Sequence, residues 1–409
     1  GVVLLPVLYV LLADADPKDR LPGGQAIQSW LDGRQMSLFR PIHSDGEVRA
    51  AAQRIRKAIV LSRVTLRLPD GRIATSLQKR KSEGTSVWGS SQAISGLLTV
   101  PDLSAAEKRK LLLPYVDWLF REGEFIPGYG WRVLPDRDYT LAEPACWTVV
   151  MLARALATPG ILTPGERGLY LDRLSRAQAA TAIYRPLPTG GWNIFPNQKD
   201  PERYSPYSTT LGLLALLETH SAGLPWAGRI EERDALLKRT AQFLIAKFTR
   251  RGDATGWQRT YDAAEPISEG MTLQLVAQLM RAQKQAGIPL PREIPAAVPQ
   301  LLELASGHPP DQPDDSGEFI ETFTSHAGRE LPGTESINFP WHSWAVEAAM
   351  RWLERSREIP TPQEEVVSVR RSLGVLVVDM ERARIKTAAE GWSYIGGETL
   401  FNFSTVPAP

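Results

Sequence analysis

Two kinds of helical segment alternate along most of the chain. One kind is apolar nearly all round and rich in small residues. It includes WGSSQAISGLL starting at Trp88, CWTVVMLARAL (146–156), YSTTLGLLALL (207–217) and WHSWAVEAAMRWL (341–353). The other kind sets an apolar stripe against a charged face, over roughly 104–122, 164–182, 228–249, 292–306 and 362–386. A helix that is apolar all round has to be buried, whereas a striped helix lies at a surface with one face in water. Two rings satisfy both demands, with the apolar helices inside and the striped ones outside.

Fixed landmarks give this alternation a period. Gly-Trp pairs stand at Gly130-Trp131, Gly191-Trp192, Gly256-Trp257 and Gly391-Trp392, with Gly317-Glu-Phe319 in the slot between the last two. The aromatic spacings are 61, 65, 62 and 73 residues. Pro144, Pro206, Pro266 and Pro340 each precede or open an apolar run, and proline suits the first turn of a helix, where its missing N–H costs nothing. Ser104-Ala-Ala-Glu107, Thr163-Pro-Gly-Glu166 and Thr361-Pro-Gln-Glu364 read as capping boxes that start outer helices. Five copies and the start of a sixth (398–409) predict an all-α fold, an (α/α)6-type toroid of five to six helical hairpins over residues 84–409. The Gly-Trp tryptophans are expected to wedge outer helices against inner ones.

Residues 1–83 read as a small N-terminal extension. GVVLLPVLYVLL (1–12) is apolar but too short to cross a membrane, for which ~20 residues are needed. It reads as a buried core segment or as the tail of a membrane helix begun earlier, so the expected location is cytoplasmic or membrane-tethered. Asp45 is expected to cap a helix over 46–59. Two β-forming segments around Pro69-Asp70-Gly71 predict a hairpin.

Charge sharpens the picture of this extension. The net charge of the chain is only +1, which disfavours a nucleic-acid partner. Between Arg49 and Lys81, however, ten Lys or Arg face one acid, Asp70. Arg63, Arg67, Arg72, Lys79, Arg80 and Lys81 are therefore the candidate contact residues for a protein partner or an anionic surface, if they are not simply a solvated face. The hydrophobic content of 43% and charged content of 23% exclude a disordered chain, and a single cysteine, Cys146, excludes an internal disulfide.

Leu171-Asp-Arg-Leu-Ser-Arg-Ala-Gln178 followed by Gly190-Gly191-Trp192 resembles the QW-type repeat of squalene–hopene cyclases and protein prenyltransferase β subunits. Phe243-Leu-Ile-Ala-Lys-Phe248 before Gly256-Trp257 looks like a degenerate second copy, and 382–392 a weaker third. The resemblance implies the toroid; it does not carry the chemistry across. The cyclase Asp-x-Asp-Asp acid has no match, Asp311-Gln-Pro-Asp314-Asp315 being wrongly spaced. The prenyltransferase zinc set is also missing, since Cys146 lacks the preceding Asp and His342 has no visible co-ligands. No metal and no other cofactor is expected.

Candidate chemistry gathers where inner-helix N-termini converge. Glu143, Asp262, Glu265, Glu269, Glu335 and His342 are the candidate catalytic residues, and Trp88, Tyr204, Tyr207 and Trp341 the candidate ligand-binding aromatics. Two carboxylates there would serve as acid and base in glycoside cleavage. The competing reading is that each acid only faces a helix N-terminus, where negative charge is favoured. Three functions follow. The leading expectation is a ligand- or partner-binding module within a larger or membrane-tethered assembly, accepting a small molecule, glycan or lipid. The alternatives are a glycan-acting hydrolase or lyase, and a terpene-cyclase-like or prenyl-transfer enzyme lacking the usual motifs.

Overall fold

The computed structural model describes residues 43–61, 64–67, 73–76, 87–100, 103–121, 125–132, 140–185, 189–196, 204–251, 254–258, 267–307 and 341–387. Segment 1–12, the sixth copy at 398–409 and Gly391-Trp392 lie outside them.

Inner helices α2 (Val87–Leu97), α4 (Ala142–Ala157), α6 (Pro206–Ser221), α8 (Glu269–Ala286) and α11 (Trp341–Ser356) each pack against the next in that order. Outer helices α3 (Ala105–Leu119), α5 (Pro164–Thr181), α7 (Ile230–Ala246), the broken pair α9 (Glu293–Ala296) and α10 (Val298–Gly307), and α12 (Gln363–Thr387) alternate with them. The chain is an all-α toroid, and its inner helices are buried from Ala142 to Leu156 in α4 and from Pro206 to Thr219 in α6. The N-terminal helix α1 (Asp45–Leu61) packs along α12 and adds Ala51 to the same continuous core. The hairpin forms as β1 (Val64–Arg67) and β2 (Ile73–Ser76), paired antiparallel, with β2 against α2 and α3.

Local chemistry explains the helix boundaries. Ser104 and Thr163 accept from the amides of Glu107 and Glu166, whose carboxylates bond back, so both boxes close as expected. At the third site Thr361 instead donates its hydroxyl to the carbonyl of Ile359. An extra box closes α1, where Ser44 rather than Asp45 is the cap and Glu47 its partner. The expected helix over 292–306 breaks at Ala297, because Pro295 and Pro299 remove two amides that a continuous helix would use.

The Gly-Trp pairs do wedge the rings together. Trp131, Trp192 and Trp257 are fully buried. Their indole N–H groups donate to outer helices: Trp131 to the Leu119 carbonyl (2.7 Å), Trp257 to the Leu244 carbonyl (2.9 Å) and Trp192 to the Thr240 hydroxyl (3.3 Å). On the inner side, the Trp192 amide donates to Thr209 Oγ1 and the Trp257 amide to Thr272 Oγ1. Each threonine sits four residues after a serine cap, Ser205 or Ser268. Gly256 precedes its tryptophan at φ +150°, and a Cβ there would strike the Thr272 side chain. Gly212 lets the Trp192 ring lie directly on α6. An unpredicted antiparallel sheet, β3 (Thr249–Arg251), β4 (Ala254–Gln258) and β5 (Ile267–Ser268), carries Gly256-Trp257 into α8.

Candidate functional site

The two ends of the inner ring are built differently. Connections leaving inner helices are short: Thr158–Thr163, Ala222–Arg229, Gly287–Arg292 and Arg357–Pro362. Connections entering them are long, covering Phe120–Leu141, Arg185–Ser205, Lys247–Ser268 and 308–340. Long loops on a rigid scaffold are where binding and catalytic groups concentrate. They mark the end at which the N-termini of α4, α6, α8 and α11 meet.

Glu143 is the second residue of α4 and only 4% exposed. The preceding residue, Ala142, is pinned by donation from its amide to the Ile194 carbonyl at 3.0 Å. Glu143 Oε2 has no hydrogen-bond partner. Burial raises its pKa to about 7, against a smaller opposing pull from its own backbone amide. A carboxyl with this pKa holds its proton over much of the neutral range. One turn on, Cys146 is also buried, and burial with the adjacent Glu143 pushes its thiol far above the reactive range. The buried Tyr184 phenol completes the neighbourhood; it bonds Thr140 and donates to the Tyr129 carbonyl at 2.9 Å.

Two further side chains share the condition of Glu143. Ser208, in the first turn of α6, has no partner for its hydroxyl, and Gln274, in the second turn of α8, has none at either end of its amide. Both are fully buried. Uncompensated polar atoms are rare in a folded core because each costs about 1–3 kcal/mol. Among the described residues such atoms also occur elsewhere, including Tyr170 Oη on α5 and Arg281 Nε and Glu347 Oε1 near the other end of the ring, but Glu143, Ser208 and Gln274 fall in the first two turns of three successive inner helices. A polar residue interrupting an apolar run near its start is the sequence signal that would have marked Ser208 and Gln274.

Other expected site residues have varied settings. Tyr204 is buried, edge-on to Phe243 at 4.8 Å between ring centres, with the Lys247 ammonium over its ring. Tyr207 is buried in the first turn of α6. Trp88 lies in the first turn of α2, Glu269 in that of α8, and Trp341 and His342 in that of α11. Asp262, Glu265, Glu335, Arg63, Arg72, Lys79, Arg80 and Lys81 lie outside the described residues, while Arg67 ends β1 opposite Ile73. Among the described residues no group of three His, Cys, Asp or Glu could hold a metal ion, and no helix is long and apolar enough to cross a membrane.

The opposite end holds a buried ionic chain that sequence reasoning missed. Arg154 on α4 grips Glu218 on α6 through two bonds, at 3.0 and 2.9 Å, and donates to the Ser95 carbonyl on α2. Arg281 on α8 donates to the same Glu218 at 2.7 Å and to Gln278, which donates to Glu347 on α11. Burial alone would raise the Glu218 pKa, but Arg154 and Arg281 outweigh it and hold the carboxylate at about 2. A cleft of about 390 Å³ between α8 and α11 is lined by Arg281 and by a separate, partly exposed pair, Lys284 with Glu354. Arg154, Glu218 and Arg281 each lie twelve residues after the first residue of their helix, a register that appears only once the helix starts are known, since their offsets from Pro144, Pro206 and Pro266 differ.

No protein-family model matches the chain, and no curated protein matches it by sequence. Solved structures do match. A D-mannose isomerase superposes with a TM-score of 0.53 at 10% identity, over 80% of this chain and 84% of its own. A GH76 α-mannanase from Bacteroides thetaiotaomicron gives 0.51 at 10% identity, over 87% and 94%. An unsaturated glucuronyl hydrolase specific for heparin gives 0.50 at 12% identity, over 88% and 95%. The likeness to the toroid class holds, but these three structures are of carbohydrate-acting proteins, whereas the QW-like repeats resemble the cyclase and prenyltransferase branch. What the chain shares with them at this identity is the α/α toroid fold.

Proposed function

We propose that the chain is a glycan-acting toroid enzyme, a hydrolase or lyase, working at the N-terminal end of its inner ring. This was the alternative reading of the sequence, and the fold neighbours favour it over a binding module. The observation that carries it is the row of buried, unpartnered polar groups, Glu143, Ser208 and Gln274, beneath the long loops. Polar groups left uncompensated in a core are reasonable where a polar ligand supplies the missing partners.

Glu143 takes the role of proton donor. A pKa of about 7 suits a general acid that must be protonated before the reaction and release its proton near neutral pH. In hydrolysis it protonates the departing glycosidic oxygen, while a second carboxylate activates water or attacks the anomeric carbon. Glu269 is the first candidate for that second group, because it occupies the first turn of α8; Asp262, Glu265 and Glu335 are the others.

The test is turnover of a panel of end-labelled oligosaccharides, including manno-, xylo- and unsaturated glucuronyl substrates, read by chromatography. At least one substrate should be cleaved, with a rate that falls above pH 7. Glu143→Gln should lower kcat by about 100-fold or more. A panel left intact, or a fully active Glu143→Gln, would overturn the proposal.

A further inference from the structure

We infer that Tyr129 and Phe195 form a sugar-stacking platform beside Glu143, a subsite for one pyranose ring of an oligo- or polysaccharide chain. This inference rests on the glycan reading above and names where the substrate is held. Tyr129 is 44% exposed and Phe195 52% exposed. Among the described residues they are the aromatic members of the exposed large hydrophobic set. The other members are aliphatic and lie on outer helices or in their connections: Leu169 and Leu171 on α5, Ile230 on α7, Ile359, and Val367 on α12. Both aromatics therefore stand at the long-loop end.

Their loop backbones are both tied to Tyr184. Tyr129 lies in a tight turn closed by bonds between Ile126 and Gly130, at 2.8 and 2.9 Å, and its carbonyl accepts the Tyr184 hydroxyl. Phe195 follows Asn193, whose amide donates to the Tyr184 carbonyl, and Ile194, whose carbonyl accepts the Ala142 amide. Tyr184 thus joins the two loops, and Ala142 places the second against the residue before Glu143. Gly128 and Gly130, at φ +79° and +88°, allow the turn that lifts Tyr129 into solvent.

The chemistry fits a pyranose. A sugar ring presents a face of C–H groups, slightly positive, which complements the negative face of an aromatic quadrupole, while its hydroxyls stay hydrated or reach polar partners. Aromatics whose loop backbones are tied down by hydrogen bonds bind such a face with little ordering cost. The platform supplies area and orientation, and the buried row behind it supplies hydrogen-bonding partners.

The test is affinity electrophoresis of the full chain in gels containing soluble mannan, xylan or heparin, run beside the turnover panel. Retardation is expected in at least one gel. The Tyr129→Ala/Phe195→Ala double variant should weaken it by about tenfold in apparent Kd at an unchanged unfolding midpoint, while Tyr129→Phe retains it. No retardation in any gel, or equal retardation of the double variant, overturns the platform. So does an aromatic-dependent mass increase in light scattering without glycan binding, which would make these rings a protein contact. The two proposals fail separately. Turnover with an unchanged KM in the double variant removes the platform and leaves the enzyme. Platform-dependent retardation without turnover of any substrate leaves the platform and removes the enzyme.

Discussion

The two ends of the inner ring treat a buried glutamate in opposite ways. At the C-terminal end Glu218 lies between two arginines from neighbouring helices, and its charge is matched on both sides. At the N-terminal end Glu143 has nothing to match it and keeps its proton instead. A buried charge survives only when paired, and otherwise the group neutralises. The paired end works as a clamp between helices, whereas the unpaired end keeps bonding capacity in reserve. The same residue type therefore marks structure at one end and a candidate site at the other.

The largest effect should come from breaking the clamp. Glu218→Gln leaves Arg154 and Arg281 buried without their counter-charge, and is expected to cost about 3–5 kcal/mol in urea unfolding. A cost below about 1 kcal/mol would show that the chain is not the structural device described.

The same chemical change at the other end should act in the opposite direction. Glu143 has a folded pKa of about 7, above its ordinary value of 4.5. Its contribution is thus complete below pH 4.5 and is lost as pH rises through 7, by up to about 3 kcal/mol. Glu143→Gln should remove that loss, making the variant more stable than the parent at pH 8 and similar at pH 4.5. Parallel denaturation curves for the two proteins at both pH values would contradict the buried, neutral carboxyl. The Glu218 contribution has the reverse sign. Its carboxylate is depressed to about 2, so its stabilisation holds above pH 4.5 and disappears as pH falls towards 2.

Smaller effects test the wedge and the caps that set both ends at their proper distance. Gly212→Ala pushes a methyl group into the Trp192 ring and should cost about 1–3 kcal/mol in thermal or urea unfolding. Thr163→Ala removes a closed capping box and should cost ~1 kcal/mol, whereas Thr361→Ala, where no amide is capped by the hydroxyl, should cost less than half of that. Equal losses at the two threonines would mean that the third box closes in solution.

Much of this architecture was legible in the residues. The alternation of apolar and striped helices, the Gly-Trp period and two of three capping boxes are local patterns, and each reports its own element. Glu143 was legible as well, as an acid at the start of an apolar run. Its condition was not, because a carboxyl beside a helix N-terminus reads equally as a satisfied cap until the lack of a partner for Oε2 is seen. Ser208 and Gln274 were passed over since polar residues in apolar helices are common and usually bonded, as Thr209 and Thr210 beside Ser208 are. Tyr129 and Phe195 carry no motif at all; only their exposure and shared tether to Tyr184 single them out.

Hydrophobic periodicity and capping act within one turn or one repeat, so the all-α class, the two-ring arrangement and the wedging tryptophans can be read from the residues alone. Which buried charges are matched depends instead on how the helices pack. Arg154 and Glu218 are 64 residues apart in the chain, and Glu218 and Arg281 are 63 apart, yet each pair meets across adjacent helices. Burial and pairing are properties of neighbours in space. They separate a clamp from a candidate acid where the letters in the chain are the same.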